Sequence, residues 1–242
     1  GADTTGGRST AVGFGALNTQ NFTGGQITYN TAIGYDALSA LTTGANNTAV
    51  GYNAGGAITT GAYNTAVGVD SLKTNTTGHT NVAIGYHALR LNTTGYHNVA
   101  IGASDNSSVG AALGANTEGR NNIAIGRGAL KANTTGNNNV AVGDDALGSN
   151  TTADKNTAVG KDAMNVNTTG YDNVAVGRNS LDANTEGHSN TAVGESSLTG
   201  NTTGDRNVAI GQNAMAVNST GSQNVAIGRN ALDANTTADD NV

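Results

Sequence analysis

The sequence predicts an all-β protein, a parallel β-solenoid (β-roll) that lays down one coil per repeat over residues 1–242 as a single continuous array of about fourteen coils. Three observations predict it. A unit with the consensus N[TV]A[VI]GxxALxxNTTGxx recurs along nearly the whole chain, and ten of the twelve spacings between its successive AV/AI-following glycines are seventeen residues. The chain holds 36 glycines and no proline, cysteine or tryptophan, and only 4% of its residues are aromatic, so a core of large side chains is excluded. Charged residues make up 12%, too few for a highly charged disordered chain.

Taking the repeat in order, positions 1–5 read as a strand. Position 1 is Asn in twelve of thirteen repeats, with Ser9 the exception; position 3 is Ala throughout, from Ala11 to Ala226, and position 4 is Val or Ile, from Val12 to Ile227. Neighbouring strand residues point to opposite faces, so both faces are apolar. The reading puts position 4 in the coil's interior and the uniform alanine against an identical neighbouring chain. Positions 6–11 carry Ala or Ser at position 8 and Leu or Met at position 9, except at Gly55, and read as a second strand. Met164 and Met215 fall at position 9, where they substitute for leucine in a core.

Positions 12–17 read as the return turn, with Gly at position 15 expected to supply a positive φ. Once the insertions are aligned, position 12 is Asn apart from Leu41 and Ile58. Stacking would turn positions 1 and 12 into asparagine ladders, each amide bonding the next coil. Two insertions, near residues 18–29 and 103–111, account for the spacings of 21 and 24, and the consensus resumes at Ala112-Leu113. Side-chain burial within one coil falls well short of the cost of ordering its backbone, so coils must stack, and a side-by-side partner would add burial. A homo-oligomer is expected, with three chains around an axis as the leading arrangement.

The segments Asn81-Val82-Ala83-Ile84-Gly85, Asn98-Val99-Ala100-Ile101-Gly102 and Asn207-Val208-Ala209-Ile210-Gly211 resemble the head repeats of YadA-like trimeric autotransporter adhesins. The seventeen-residue unit with its added ALxxNTTG segment also resembles repeat arrays of phage tail-fibre-like proteins. That resemblance implies a left-handed roll, trimerisation and an extracellular, cell-surface or virion-fibre location. The function expected is a structural rod of an extracellular fibre or adhesin that self-associates and contacts surface glycans or proteins through variable loop positions. Alternatives are an ice-binding repeat protein, suggested by the threonines at positions 13 and 14, and a subunit of an end-to-end stacked filament. The bare repeat at each end suggests a piece of a longer array.

The residues speak against other classes. A formal charge of −6 from 17 acidic and 11 basic residues offers no stripe to neutralise phosphates, so nucleic acid is not expected as a partner. No apolar run reaches the length of a membrane span, so insertion of this segment into a membrane is not expected either. No HExxH motif, cysteine nucleophile or distinct Ser/His/Asp set stands out, and no enzyme activity, cofactor or metal is expected. The tyrosines Tyr35, Tyr52, Tyr86, Tyr96 and Tyr171 fall at variable positions 6 and 16. His79, His87 and His97 come from adjacent repeats; Tyr86, His87, Tyr96 and His97 are the candidate ligand contacts, with the histidines exposed. Asn75, Asn92, Asn133, Asn150, Asn167, Asn201, Asn218 and Asn235 each open an NxS/T sequon, a candidate glycosylation set that competes with the ladder reading.

Overall fold

The computed structural model describes residues 8–20, 27–104 and 110–242. The chain divides into two compact units, Gly1–Asn122 and Ile123–Val242, each a stack of parallel coils. Among its described residues the first holds six three-residue strands, β1 (Thr10–Val12), β2 (Thr31–Ile33), β3 (Thr48–Val50), β4 (Thr65–Val67), β5 (Val82–Ile84) and β6 (Val99–Ile101). The second holds seven, β7 (Ile123–Ile125), β8 (Val140–Val142), β9 (Thr157–Val159), β10 (Val174–Val176), β11 (Thr191–Val193), β12 (Val208–Ile210) and β13 (Val225–Ile227). Within each unit successive strands pair in parallel, alanine on alanine, as in Ala83↔Ala100 and Ala192↔Ala209. Among the described residues there is no helix. The solenoid of seventeen-residue coils is therefore present, with the register resuming at Leu113, whose N–H-donating counterpart Leu89 bonds the Ala112 carbonyl at 3.1 Å. Residues 21–26 and 105–109 of the two insertions lie outside the described residues.

Among the described residues each coil has one strand, not two. Positions 6–11 form a run of turns in which positions 7 and 9 both take positive φ, for example Asp145 (54°) and Leu147 (51°). At position 7 the chain mostly supplies Asp, Asn, Ser or Gly, residues that tolerate this conformation. Leucine does not favour it. Its strain is held by bonds between coils, as when Leu147 N–H donates to the Ala163 carbonyl at 3.0 Å, and by complete burial of the side chain.

Glycine acts in two different ways. At position 5 the backbone needs a φ near +130°, as at Gly143 (141°), and a methyl there would lie 2.4 Å from the Gly160 oxygen in the next coil. At position 15 the expected positive φ is absent; at Gly170, the carbonyl of Gly187 would lie 2.4 Å from an added Cβ, so close approach of the coils is what excludes a side chain.

The interior also differs from expectation. Position 3 alanines such as Ala83, Ala100 and Ala209 are fully buried, together with the alanine at position 8 and Leu or Met at position 9. The Val or Ile of position 4 faces outward: Ile84 is 38% and Ile101 36% exposed. The two faces of the strand are thus assigned in reverse of the sequence reading. The physical reason is room, because a coil of one short strand and a folded-back turn has space between its walls for a methyl group and one leucine per level.

Two columns of asparagine flank this core, as anticipated. At position 1, Asn64 takes its backbone N–H to Asn47 Oδ1 (2.9 Å) and its Nδ2 to the Gly78 carbonyl (2.9 Å), while Asn81 N–H donates in turn to Asn64 Oδ1 (3.0 Å). At position 12, Asn92 Nδ2 donates to Asn75 Oδ1 (2.7 Å) and to the Gly95 carbonyl (2.9 Å). In the first coil Gln20, not the expected asparagine, holds this place, buried and donating to Thr28 Oγ1 at 2.9 Å. Leu41 and Ile58 then replace the amides in consecutive coils, and Ile58 fills the space left by Gly55: a Cβ on Gly55 would come within 2.9 Å of Ile58 Cδ1. The ladder is interrupted as a block, so no amide is left facing an aliphatic side chain on both sides.

Candidate functional site

The outward strand face is a surface that successive coils of each unit build in common. Positions 2 and 4 share it by strand alternation. In the first unit it presents Thr31, Thr48, Thr65, Val82 and Val99 beside Ile33, Val50, Val67, Ile84 and Ile101, and none of these side chains is buried. The second unit repeats it with Ile125, Val176, Ile210 and Ile227 exposed and Val142, Val159 and Val193 half-buried. A contiguous aliphatic strip of this kind, continued from coil to coil, is unusual on a surface that meets only water. A signal for it was in the sequence. Six of the thirteen strands begin with Thr at position 2, on the same face as position 4, and a buried position 4 would have drawn those hydroxyls inside.

Position 6 runs beside this face. In the first unit it stacks aromatic rings: Phe14 on Tyr35 and Tyr35 on Tyr52, each with centroids 5.3 Å apart. In the second unit it carries ion pairs between coils, Arg127 with Asp144 at 2.9 Å and Arg178 with Glu195. The Arg178 guanidinium, by hydrogen bond and charge, holds the Glu195 carboxyl below its ordinary range.

The four candidate ligand contacts form two separate pairs. Tyr86 stacks on His87 at 3.8 Å, and Tyr96 meets His97 edge-on at 5.1 Å while stacking on His79 at 4.9 Å; among the described residues no ring contact joins one pair to the other. His97 and His79 are exposed, as expected. His87 is not: it is buried, with Nε2 3.6 Å from Asp70 Oδ2. That carboxylate also meets Lys73 (3.0 Å) and Arg90 (3.9 Å), while its other oxygen accepts from Asn53 Nδ2 (3.1 Å). Three basic groups around one carboxylate make a coil-to-coil brace, and His87 belongs to it. Sequence reasoning missed the burial because position 7 looks variable, whereas its positive φ turns the side chain back along the wall.

Sequon asparagines take ladder positions. Asn75, Asn92, Asn133, Asn150, Asn167, Asn201 and Asn218 are fully buried, each with Nδ2 donating within the stack; only Asn235 is part-exposed. A glycan on any of the seven would have no way out through the closed wall, so the folded coil gives these asparagines a structural place and not that of a solvated acceptor. The threonines are similarly divided. Position 13 hydroxyls are used between coils, as when Thr185 Oγ1 donates to the Thr202 carbonyl at 3.2 Å, and those of position 14 are exposed.

Among the described residues no group of His, Cys, Asp and Glu is arranged to hold a metal ion, and no helix is long and apolar enough to cross a membrane. No protein-family model, curated protein or solved structure matches the chain, so its function is argued from this geometry and from the repeat motifs.

Proposed function

We propose that the chain is a structural rod of an extracellular fibre or adhesin whose primary activity is self-association through the outward strand face, with three copies around a common axis. The observation that carries this reading is the aliphatic strip of position 4, left open to solvent while alanine occupies the interior. Covering that strip removes a Val or Ile side chain per coil from water, and identical copies offer identical spacing along it. The extracellular placement and the left-handed, trimeric arrangement follow the resemblance of the NVAIG segments. Contact with surface glycans or proteins would use the variable columns at positions 6, 7, 16 and 17. The test is light scattering on the purified chain beside the double variant Ile84→Asp/Ile101→Asp. An oligomer that the double variant converts to monomer, with far-UV circular dichroism unchanged, is expected; a wild-type chain that stays monomeric at about 100 μM would overturn the reading.

A second reading has one observation in its favour. The same face sets threonine beside isoleucine or valine at regular coil spacing on β2 to β4, a repetitive half-apolar surface of the kind that matches an ice lattice. Thermal hysteresis in purified material distinguishes it, and its absence removes it.

A further inference from the structure

A single methyl group opens a cleft in the second unit. Position 15 excludes side chains because an added Cβ runs into the carbonyl of the next coil, at 2.5 Å for Gly136 and 2.4 Å for Gly170. Ala153 nevertheless stands at this position, between those two glycines in the stack. In the neighbouring coils the turns are drawn together by the position 13 threonine, which gives both its N–H and its Oγ1 to the next coil's position 13 carbonyl: Thr134 to Thr151 (2.8 and 3.1 Å) and Thr168 to Thr185 (3.1 and 3.0 Å). Among the described residues Thr151 makes neither bond to Thr168. The next bond along the edge, Asp172 N–H to the Asp154 carbonyl, is stretched to 3.3 Å, against 3.0 Å for Lys155 to Asn137. The two coils part at this edge, where the Ala153 methyl has to be accommodated.

The gap is an open cleft of about 280 Å³, lined by Thr152, Asp154, Lys155, Thr169, Tyr171 and Asp172 around Ala153. Its walls are held in place. Asp154 Oδ1 accepts the Asn137 N–H at 2.6 Å, which fixes the carboxylate. The Tyr171 ring stacks on His188 at 4.8 Å, and His188 is itself tied to Asp205, by Nε2 at 3.1 Å and by its N–H at 2.8 Å. Two hydroxyls, two carboxylates, one ammonium and an aromatic ring thus surround a space the size of one or two small rings. Alternating donors and acceptors beside an aromatic ring suit the vicinal hydroxyls and the apolar C–H face of a pyranose. Two carboxylates repel an acidic sugar, and Lys155, 4.0 Å from Asp172, counters a purely cationic ligand.

From this geometry we infer that the Ala153 gap is a binding site for a neutral glycan residue. It rests on the proposal that the rod contacts surface glycans and assigns that contact to a place. A ring of about a dozen heavy atoms in an open site binds in the millimolar range.

Saturation-transfer NMR with methyl glucoside, methyl galactoside and N-acetylglucosamine tests it on the full chain. Transfer to at least one sugar is expected, reduced at least tenfold by Tyr171→Ala and by Ala153→Gly. The glycine variant alters no polar or aromatic side chain lining the gap; it should close the gap and restore the Thr151 bonds, read as slower hydrogen exchange at Thr151. Transfer to none of the sugars, transfer unchanged by either variant, or binding of choline in place of sugar would each overturn the inference. Light scattering on the same samples separates the two readings: a wild-type chain that does not self-associate sinks the rod proposal whatever the sugars do, and an intact assembly without sugar transfer sinks only the site.

Discussion

Removing one rung of the position 12 ladder measures what the buried asparagines contribute. Asn201 donates Nδ2 to Asn184 Oδ1 (2.9 Å) and to the Gly204 carbonyl (3.0 Å), and its Oδ1 accepts from Asn218 Nδ2 (3.0 Å). In Asn201→Ala the Gly204 carbonyl keeps Asn190 Nδ2 at 2.8 Å, and Asn218 keeps the Gly221 carbonyl at 2.9 Å. Asn184 Oδ1 is left buried without a donor, at a cost of about 1–3 kcal/mol, and the lost Asn218 bond adds about 0.5–1.5 kcal/mol. The expected destabilisation is about 1.5–4.5 kcal/mol. In a stack where each coil contacts only its neighbours, this loss is local, and a global midpoint would blur it. Native-state hydrogen exchange resolves it at Thr185 and Thr202, whose N–H groups bond Thr202 and Ser219 carbonyls. The same change at Asn235, part-exposed in the last coil, should cost no more than about 1.5 kcal/mol because water replaces the lost partner. A cost below about 0.5 kcal/mol at Asn201, or an equal cost at both sites, would refute the ladder as a stabilising element.

Other perturbations separate the interior from the surface. Ala83→Leu should destabilise by about 1–3 kcal/mol through overpacking, while Ile84→Thr, one residue on, should stay within about 0.5 kcal/mol in a monomeric background; urea unfolding of both variants checks the reversed faces. Gly143→Ala, which places a methyl 2.4 Å from the Gly160 oxygen at a φ of 141°, should lose more than about 1 kcal/mol in the same assay. Burial, and then the charge of Asp162, raises the Asp182 carboxyl above its ordinary value, against a smaller opposing bond from the Asn165 backbone. A raised folded value means that the charged form is disfavoured on folding, so stability falls as pH rises through it. Asp182→Asn should therefore raise the melting temperature at pH 7, and the advantage should vanish on acidification below the carboxylate range; an advantage that persists there would show another cause.

How far the sequence could be read depended on whether a repeat position has one physical explanation or two. Asparagine at position 1 admits a single use in stacked coils, and its ladder lies where the period puts it; at position 12 the sequon competed with the ladder, and burial decides for the ladder. The resumption of register at Leu113 was legible for the same reason. Alternation along β5 says only that Ala83 and Ile84 face opposite ways; which side is inside depends on the width of the coil, and that width is set by the folded-back turn at positions 6–11. The turn was hidden because Leu147 takes a positive φ that its residue type does not announce, though Asp145 two residues before carries the appropriate signal. His87 was misplaced by the same turn.

The narrow interior has a further consequence. With methyl groups, one leucine and two amides per level, nothing in the core distinguishes most coils, so differences between them must be carried by the side-chain columns on the outside. Ring stacking on Tyr35 and the ion pair of Arg178 with Glu195 occupy the same column at position 6 and do the same mechanical work with different surfaces. Position 15 behaves otherwise. There the tolerance is below one methyl group, so Ala153 changes the spacing between coils as well as the identity of a side chain. A stack of such coils can thus acquire a local gap without altering its register, since the asparagine ladder continues past it through Asn167 and Asn150 at 3.0 Å.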